Sequence, residues 1–166
     1  MASMSQISLP VFTRRLNGLA GCLKKTQALY AEKKYDESTL LAYRFFPDMF
    51  NFARQVQAAT DHPRNCIGFL TGVEPPKYEA NEKSLADLVA RVEKTVAWLG
   101  TVKPEQVDGT EDKAITIKMP DRELNMKGID LLLNRAMPNF YFHCTTAYDI
   151  MRHNGVELGK RDFMGS

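Results

Sequence analysis

What this 166-residue chain lacks narrows its chemistry. Cysteine occurs at positions 22, 66 and 144 only, an odd count at wide spacing with no CxxC pair. That excludes a disulfide framework and a thiolate-built zinc module, and it suits reduced thiols in the cytoplasm. Each cysteine sits among apolar residues at helical spacing, where packing rather than reactivity is the expected role. The histidines are His62, His143 and His153 alone, which leaves few nitrogen ligands for a metal. There is no glycine-rich phosphate loop, no GxSxG, no HExxH and no EF-hand pattern. No apolar run approaches the length of a membrane span. Met1 to Ile7 shows no basic stretch followed by a hydrophobic core, so no secretory signal is expected. The net charge is only +2 with no basic cluster, which argues against a nucleic-acid partner. No repeat or linker divides the chain, so one domain over 1–166 is expected.

What is present is helical periodicity. From Ile129 to Asn154 apolar positions recur at helix spacing. One stripe runs Leu132, Ala136, Asn139, His143, Ala147 and Ile150; a second runs Met137, Tyr141, Cys144, Tyr148 and Met151. So wide an apolar arc exceeds one core face, and the second stripe is expected to meet a partner subunit. Gly155 closes this helix as a left-handed cap, with Val156 as its hydrophobic contact. Pro138 predicts a kink one residue before Asn139. Asn139 and His143, four apart, share a face.

The first helix is expected to begin near Ser8, with Pro10 in its opening turn. Phe12, Leu16, Leu19, Leu23 and Tyr30 form its inner stripe, and Arg14, Arg15, Lys24 and Lys25 a solvated face. Gly18 and Gly21 would let another helix approach. A short helical piece spans Ser38 to Arg44. Asp48 is the expected N-cap of the second long helix, whose inner face is Phe52, Val56, Ala59, Pro63, Ile67 and Leu70. Gln57 and Asp61 lie a turn apart beside that face, and His62 precedes Pro63 at an expected bend. Ser84 with Asp87 resembles a capping box opening the third helix, which Gly100 ends. Then the period changes to two: about 114–118 and 123–127 read as a β-hairpin packed on the bundle.

Two readings of His143 stay open. It is a core imidazole bonded to Asn139 or a carbonyl, or it is a metal-binding or catalytic group. In the second case the candidate pocket is Gln57, Asp61, His62, Asn139 and His143, with His143 and His62 as metal ligands.

The motifs Pro10-Val11-Phe12, Pro47-Asp48-Met49-Phe50, Ala59-Thr60-Asp61-His62, Pro138-Asn139-Phe140-Tyr141-Phe142-His143 and Arg152-His153-Asn154-Gly155-Val156 carry a resemblance over nearly the whole chain. It resembles the DinB/YfiT-like superfamily of bacterial four-helix bundles, and within it a family of uncharacterised proteins. The resemblance implies an all-α, DinB-like four-helix bundle with the small hairpin before the last helix. It also implies a divalent metal, zinc or nickel, held by one His on the second helix and an HxxxH pair on the last, and in some members thiol-dependent transfer. The pair falls on Asn139 and His143, and the second-helix position on Gln57, with His62 one turn further. Related bundles tend to pair, so a homodimer is expected. The residues name no substrate and no reaction. They leave a small-molecule-binding or degenerate metal-dependent transferase-like site, or a non-catalytic homodimeric bundle joined through Tyr141, Tyr148 and Met151.

Overall fold

Ser3 starts the first helix. Its hydroxyl accepts the Gln6 backbone N–H, and the Gln6 side-chain carbonyl accepts the Ser3 N–H at 3.0 Å. This reciprocal cap satisfies two of the donors that every helix start leaves over. The computed structural model describes residues 2–165, so the Met1 and Ser166 ends of the expected 1–166 span lie outside the described residues. Helix α1 is Met4–Lys33, α2 Glu37–Ala42, α3 Phe52–Thr71, α4 Leu85–Leu99 and α5 Pro104–Val107. Strands β1 (Ala114–Lys118) and β2 (Glu123–Lys127) follow, then α6 (Gly128–Asp130), a π-helical stretch Leu131–Ala136, α7 (Met137–His153) and α8 (Lys160–Met164).

The four long helices form a ring in the order α1, α4, α3, α7, with α1–α4 and α3–α7 the most extensive pairings. The expected four-helix bundle is therefore present, and the expected stripe Phe12, Leu16, Leu19, Leu23 and Tyr30 is buried in its core. Phe12 meets Phe140 edge to face at 5.1 Å across the α1–α7 contact. Such a pair adds about 1 kcal/mol to the burial of its rings. The hairpin falls on the expected residues, with Ile115 opposite Met126 and Ile117 opposite Leu124. Ile115 is buried, while Ile117 and Met126 pack against the core from its edge. The Lys113 ammonium donates to the carbonyls of Phe69 and Leu70, tying the base of the hairpin to the C-terminal end of α3.

Local chemistry explains most boundaries. The Ser84–Asp87 capping box opens α4 as expected. Gly155, at φ +87°, ends α7. Its N–H donates to the Arg152 carbonyl and that of Val156 to the Met151 carbonyl, with Val156 and Met151 both buried. This is the Schellman arrangement.

Four expectations are corrected, at the start of α1, the N-cap of α3, Arg15 and Gly21. Helix α1 begins at Met4, not near Ser8, so Pro10 lies inside it. The N-cap of α3 is Asn51, whose side-chain oxygen accepts the Arg54 N–H at 3.0 Å, rather than Asp48. Pro138 is accommodated by the π-helical stretch before it, where the Met137 N–H reaches back five residues to the Leu132 carbonyl. The wider turn relieves the clash that a proline makes with the carbonyl four residues back. Arg15 is not solvated but buried. Helix α8 lies over it, and the close approach is at Gly18, where an added Cβ would stand 2.8 Å from the Phe163 carbonyl oxygen. Gly21, by contrast, faces open space.

Gly128 joins the hairpin to the last helix, and a Cβ there would fall 2.1 Å from the Thr110 carbonyl oxygen. Backbone must move to admit it. Gly128→Ala is expected to lower stability by about 2–3 kcal/mol in urea denaturation.

Candidate functional site

Helix geometry sorts the polar residues of α3 into two groups. At 100° per residue, Gln55 and His62 lie on one face, and Gln57 and Asp61 on another, roughly 140° and 100° away from His62. The first group faces α7. Gln55 is 1 % exposed, and its side-chain nitrogen donates to the Phe50 carbonyl at 3.2 Å. That leaves the amide oxygen toward His143 Nδ1, 2.7 Å away. An amide oxygen only accepts, so Nδ1 carries the proton and Nε2 keeps a free lone pair.

The His143 ring is buried. The His62 ring stacks on it at 5.3 Å and 9°, and the Phe50 ring lies nearly parallel to it at 6.0 Å and 15°. Phe142 meets the same ring edge-on at 5.2 Å. Burial, then the neighbouring His62, then the Arg54 cation push the His143 pKa down from 6.5 to about 4. Burial likewise lowers the pKa of His62, with Arg135 and Arg54 adding to it against Asp61. At neutral pH the site is a pair of uncharged imidazoles. His62, but not His143, lines a cleft of about 130 Å³ with Asn65, Phe69, Ile117 and Arg135.

The second group faces α4 and the segment before it. Gln57 donates to Glu82 Oε2 at 2.8 Å and accepts from Arg54. Asp61 pairs with Arg91 at 2.7 Å and with Arg64 at 3.1 Å. Arg91, buried on α4, also donates to Thr60 Oγ1, the Glu79 carbonyl and Glu82. Tyr78 lies against the guanidiniums of Arg64 and Arg91. Apart from Arg64 Nε, which is buried without a partner, these donors and acceptors satisfy one another, and the cluster pins the 72–83 segment to α3 and α4.

Of the five expected pocket residues, only His62 and His143 come together. Gln57 and Asp61 are drawn into the Arg91 cluster. Asn139 is half-buried, and its side-chain nitrogen donates to the Arg135 carbonyl at 2.7 Å, beside the π-helical stretch. It serves its own helix. Gln55 and Phe50 were missed. The seven-residue spacing from Gln55 to His62, two turns on one face, was the available signal. The second stripe of α7 is also not a free face: Met151 is fully buried, and Tyr148 packs on Phe163 at 5.4 Å.

The implied metal can be tested against these donors. Zinc needs three or four protein ligands. Of the three inherited positions, Gln57 and Asn139 are committed elsewhere, and the two stacked rings do not aim their lone pairs at one point. Among the described residues no three His, Cys, Asp or Glu side chains group to hold an ion. The residues present do not fit a resident metal. The cysteines offer no nucleophile either: burial raises the pKa of Cys22 to about 11 and of Cys66 to about 12, and raises that of Cys144 as well.

A ring of four helices with a hairpin before the last, and a histidine of that last helix facing the second long one, defines a DinB-like helical bundle. The chain belongs to the family described as a domain of unknown function, DUF1993, whose model matches residues 4–164. A solved structure similar to it is the crystal structure of a DinB family member from Shewanella denitrificans at 1.83 Å resolution. The two share 34 % identity over 96 % of this chain and 90 % of that one, with a TM-score of 0.86. No curated protein matches the sequence. No helix among the described residues is long and apolar enough to cross a membrane.

Two outcomes follow from this geometry. The His143 pKa is below its unfolded value, so the unfolded chain binds the proton first as pH falls. Stability from this group is complete above about pH 6.5 and is lost toward pH 4, amounting to about 3 kcal/mol. Urea denaturation between about pH 7 and pH 4.5 should show this slope, and His143→Gln should remove that part of it. Arg91→Met leaves Asp61 and Glu82 without their shared cation and should cost about 3–5 kcal/mol by the same measurement.

Proposed function

We propose that this protein is a small-molecule-binding DinB-like bundle, in which neutral imidazoles rather than a metal ion make the polar contacts. The observation that carries this reading is the Gln55–His143 hydrogen bond, which orients the ring and leaves Nε2 as an acceptor. His62 and Phe50 both lie nearly parallel to the ring, at 5.3 and 6.0 Å between centroids, and the nitrogen lone pair lies in the ring plane, so a ligand meets its edge. A pKa near 4 makes His143 a weak base at neutral pH, and a general base works best near the operating pH. Binding by hydrogen bonding is therefore favoured over proton abstraction. The cleft of about 130 Å³ beside His62 does not include His143, and it is below the roughly 300 Å³ at which drug-sized pockets begin; a ligand seated in it is small and meets His62 first. Metal-dependent thiol transfer has no support in this donor set.

The test has two arms. Elemental analysis of the purified protein should find less than about a tenth of an equivalent of zinc or nickel, the level expected without a three-ligand site. A stoichiometric metal that disappears in His143→Ala would overturn the reading. Nitrogen-15 NMR of the imidazoles should show His143 protonated at Nδ1. Titration with phenol, a small hydrogen-bond donor, should move its Nε2 resonance in the wild type, with no protein–phenol binding left in His143→Phe.

A second reading, a homodimer, rests on a different observation. Phe142 is 56 % and Phe50 47 % exposed, and both touch His143. Phe45 and Phe46 are exposed on the segment leading to Phe50. Apolar rings presented together in this way are a common mark of a protein interface. Sedimentation should give a dimer at micromolar concentration and a monomer for Phe142→Asp; a monomeric wild type would end this reading.

A further inference from the structure

A second buried arginine has no such network around it. Arg15 on α1 is 5 % exposed. Its Nε and Nη1 have no hydrogen-bond partner, and Nη2 reaches only the thioether sulfur of Met164, at 3.5 Å. The Phe163 ring lies 4.0 Å from the guanidinium carbon. The nearby carboxylate of α8, Asp162, is engaged by Lys25 at 2.6 Å instead. A thioether is a weak acceptor, and a ring face offsets only part of what a desolvated cation loses. Beside this residue is a cavity of about 290 Å³ between α1, α7 and α8, lined by Pro10, Val11, Arg14, Arg15, Tyr141 and Met164.

We propose that Arg15 anchors an oxyanion site, and that the cavity takes a small organic carboxylate. The guanidinium supplies planar, paired donors that match a carboxylate. Arg14 adds a second positive charge at the rim, and Tyr141 an exposed phenol. Pro10, Val11 and Met164 provide apolar walls for the body of the ligand, which a free phosphate would not use. Met164 occupies the place of the missing oxygen. Its unbranched side chain is 40 % exposed and can swing aside when an anion enters. The site lies on the α1 side of α7 and shares no residue with the imidazole pair.

The experiment uses the full chain with benzoate, acetate or inorganic phosphate, against chloride at equal ionic strength. Saturating benzoate should raise the wild-type Tm by about 5 °C and move the Arg15 Nε–H resonance. Arg15→Met keeps the length of the side chain and removes the charge; it should lose the benzoate response and, without ligand, melt no lower than the wild type. Arg15→Lys keeps the charge without the fork and should weaken benzoate binding at least about tenfold. The proposal is overturned if neither Tm nor the Nε–H signal responds to benzoate, or if Arg15→Met responds as the wild type does. A response to phosphate alone would overturn the carboxylate assignment. A ligand-free Arg15→Met that melts well below the wild type would make the guanidinium structural and overturn it too.

Discussion

One hydrogen bond across the α3–α7 contact decides what the last helix can offer. Gln55 is held at one end by the Phe50 carbonyl, so its amide has a single orientation and presents an acceptor to His143. The imidazole is thereby a donor at Nδ1 and an acceptor at Nε2. Without the amide, a buried ring with two unfilled nitrogens would carry a desolvation cost and no defined tautomer. With it, the ring is neutral, oriented and stacked with His62 and Phe50. Hydrogen bonding at Nε2 follows from that arrangement, as does the poor fit to a metal.

The two buried arginines show how burial and pairing separate structure from candidate function. Arg91 is surrounded by Thr60, Asp61, Glu79 and Glu82, and every one of these contacts joins a neighbouring element to α4. Its charge is spent on holding the 72–83 segment in place. Arg15 is equally buried, yet it faces an aromatic ring and a thioether. A cation kept out of water without an oxygen partner weakens the fold.

Signals that act within a few residues were legible in the chain. The hairpin was readable from its alternation, the α4 start from Ser84 and Asp87, and the α7 end from Gly155 and Val156. The apolar stripe of α1 was readable because its period repeats over many turns. Signals requiring knowledge of the facing element were not. Asn139 and His143 share a helix face, but the turn before Pro138 draws the Asn139 amide to the Arg135 carbonyl. Gln57 and Gln55 are chemically identical and two residues apart, and only the positions of α4 and α7 decide which one meets the histidine. Arg15 carries no mark of burial; the docking of α8 at Gly18, some 140 residues away in sequence, removes it from water.

By itself the sequence determined the four long helices, the hairpin, several of their caps and the histidine of the last helix, because periodicity, capping and turn chemistry depend on neighbours along the chain. Tertiary structure alone decided which polar side chains meet. Pairing the rods in the order α1, α4, α3, α7 sends Gln55 to the imidazole and Asp61 to Arg91. It also closes α8 over Arg15, because each rod presents several faces and only packing selects among them.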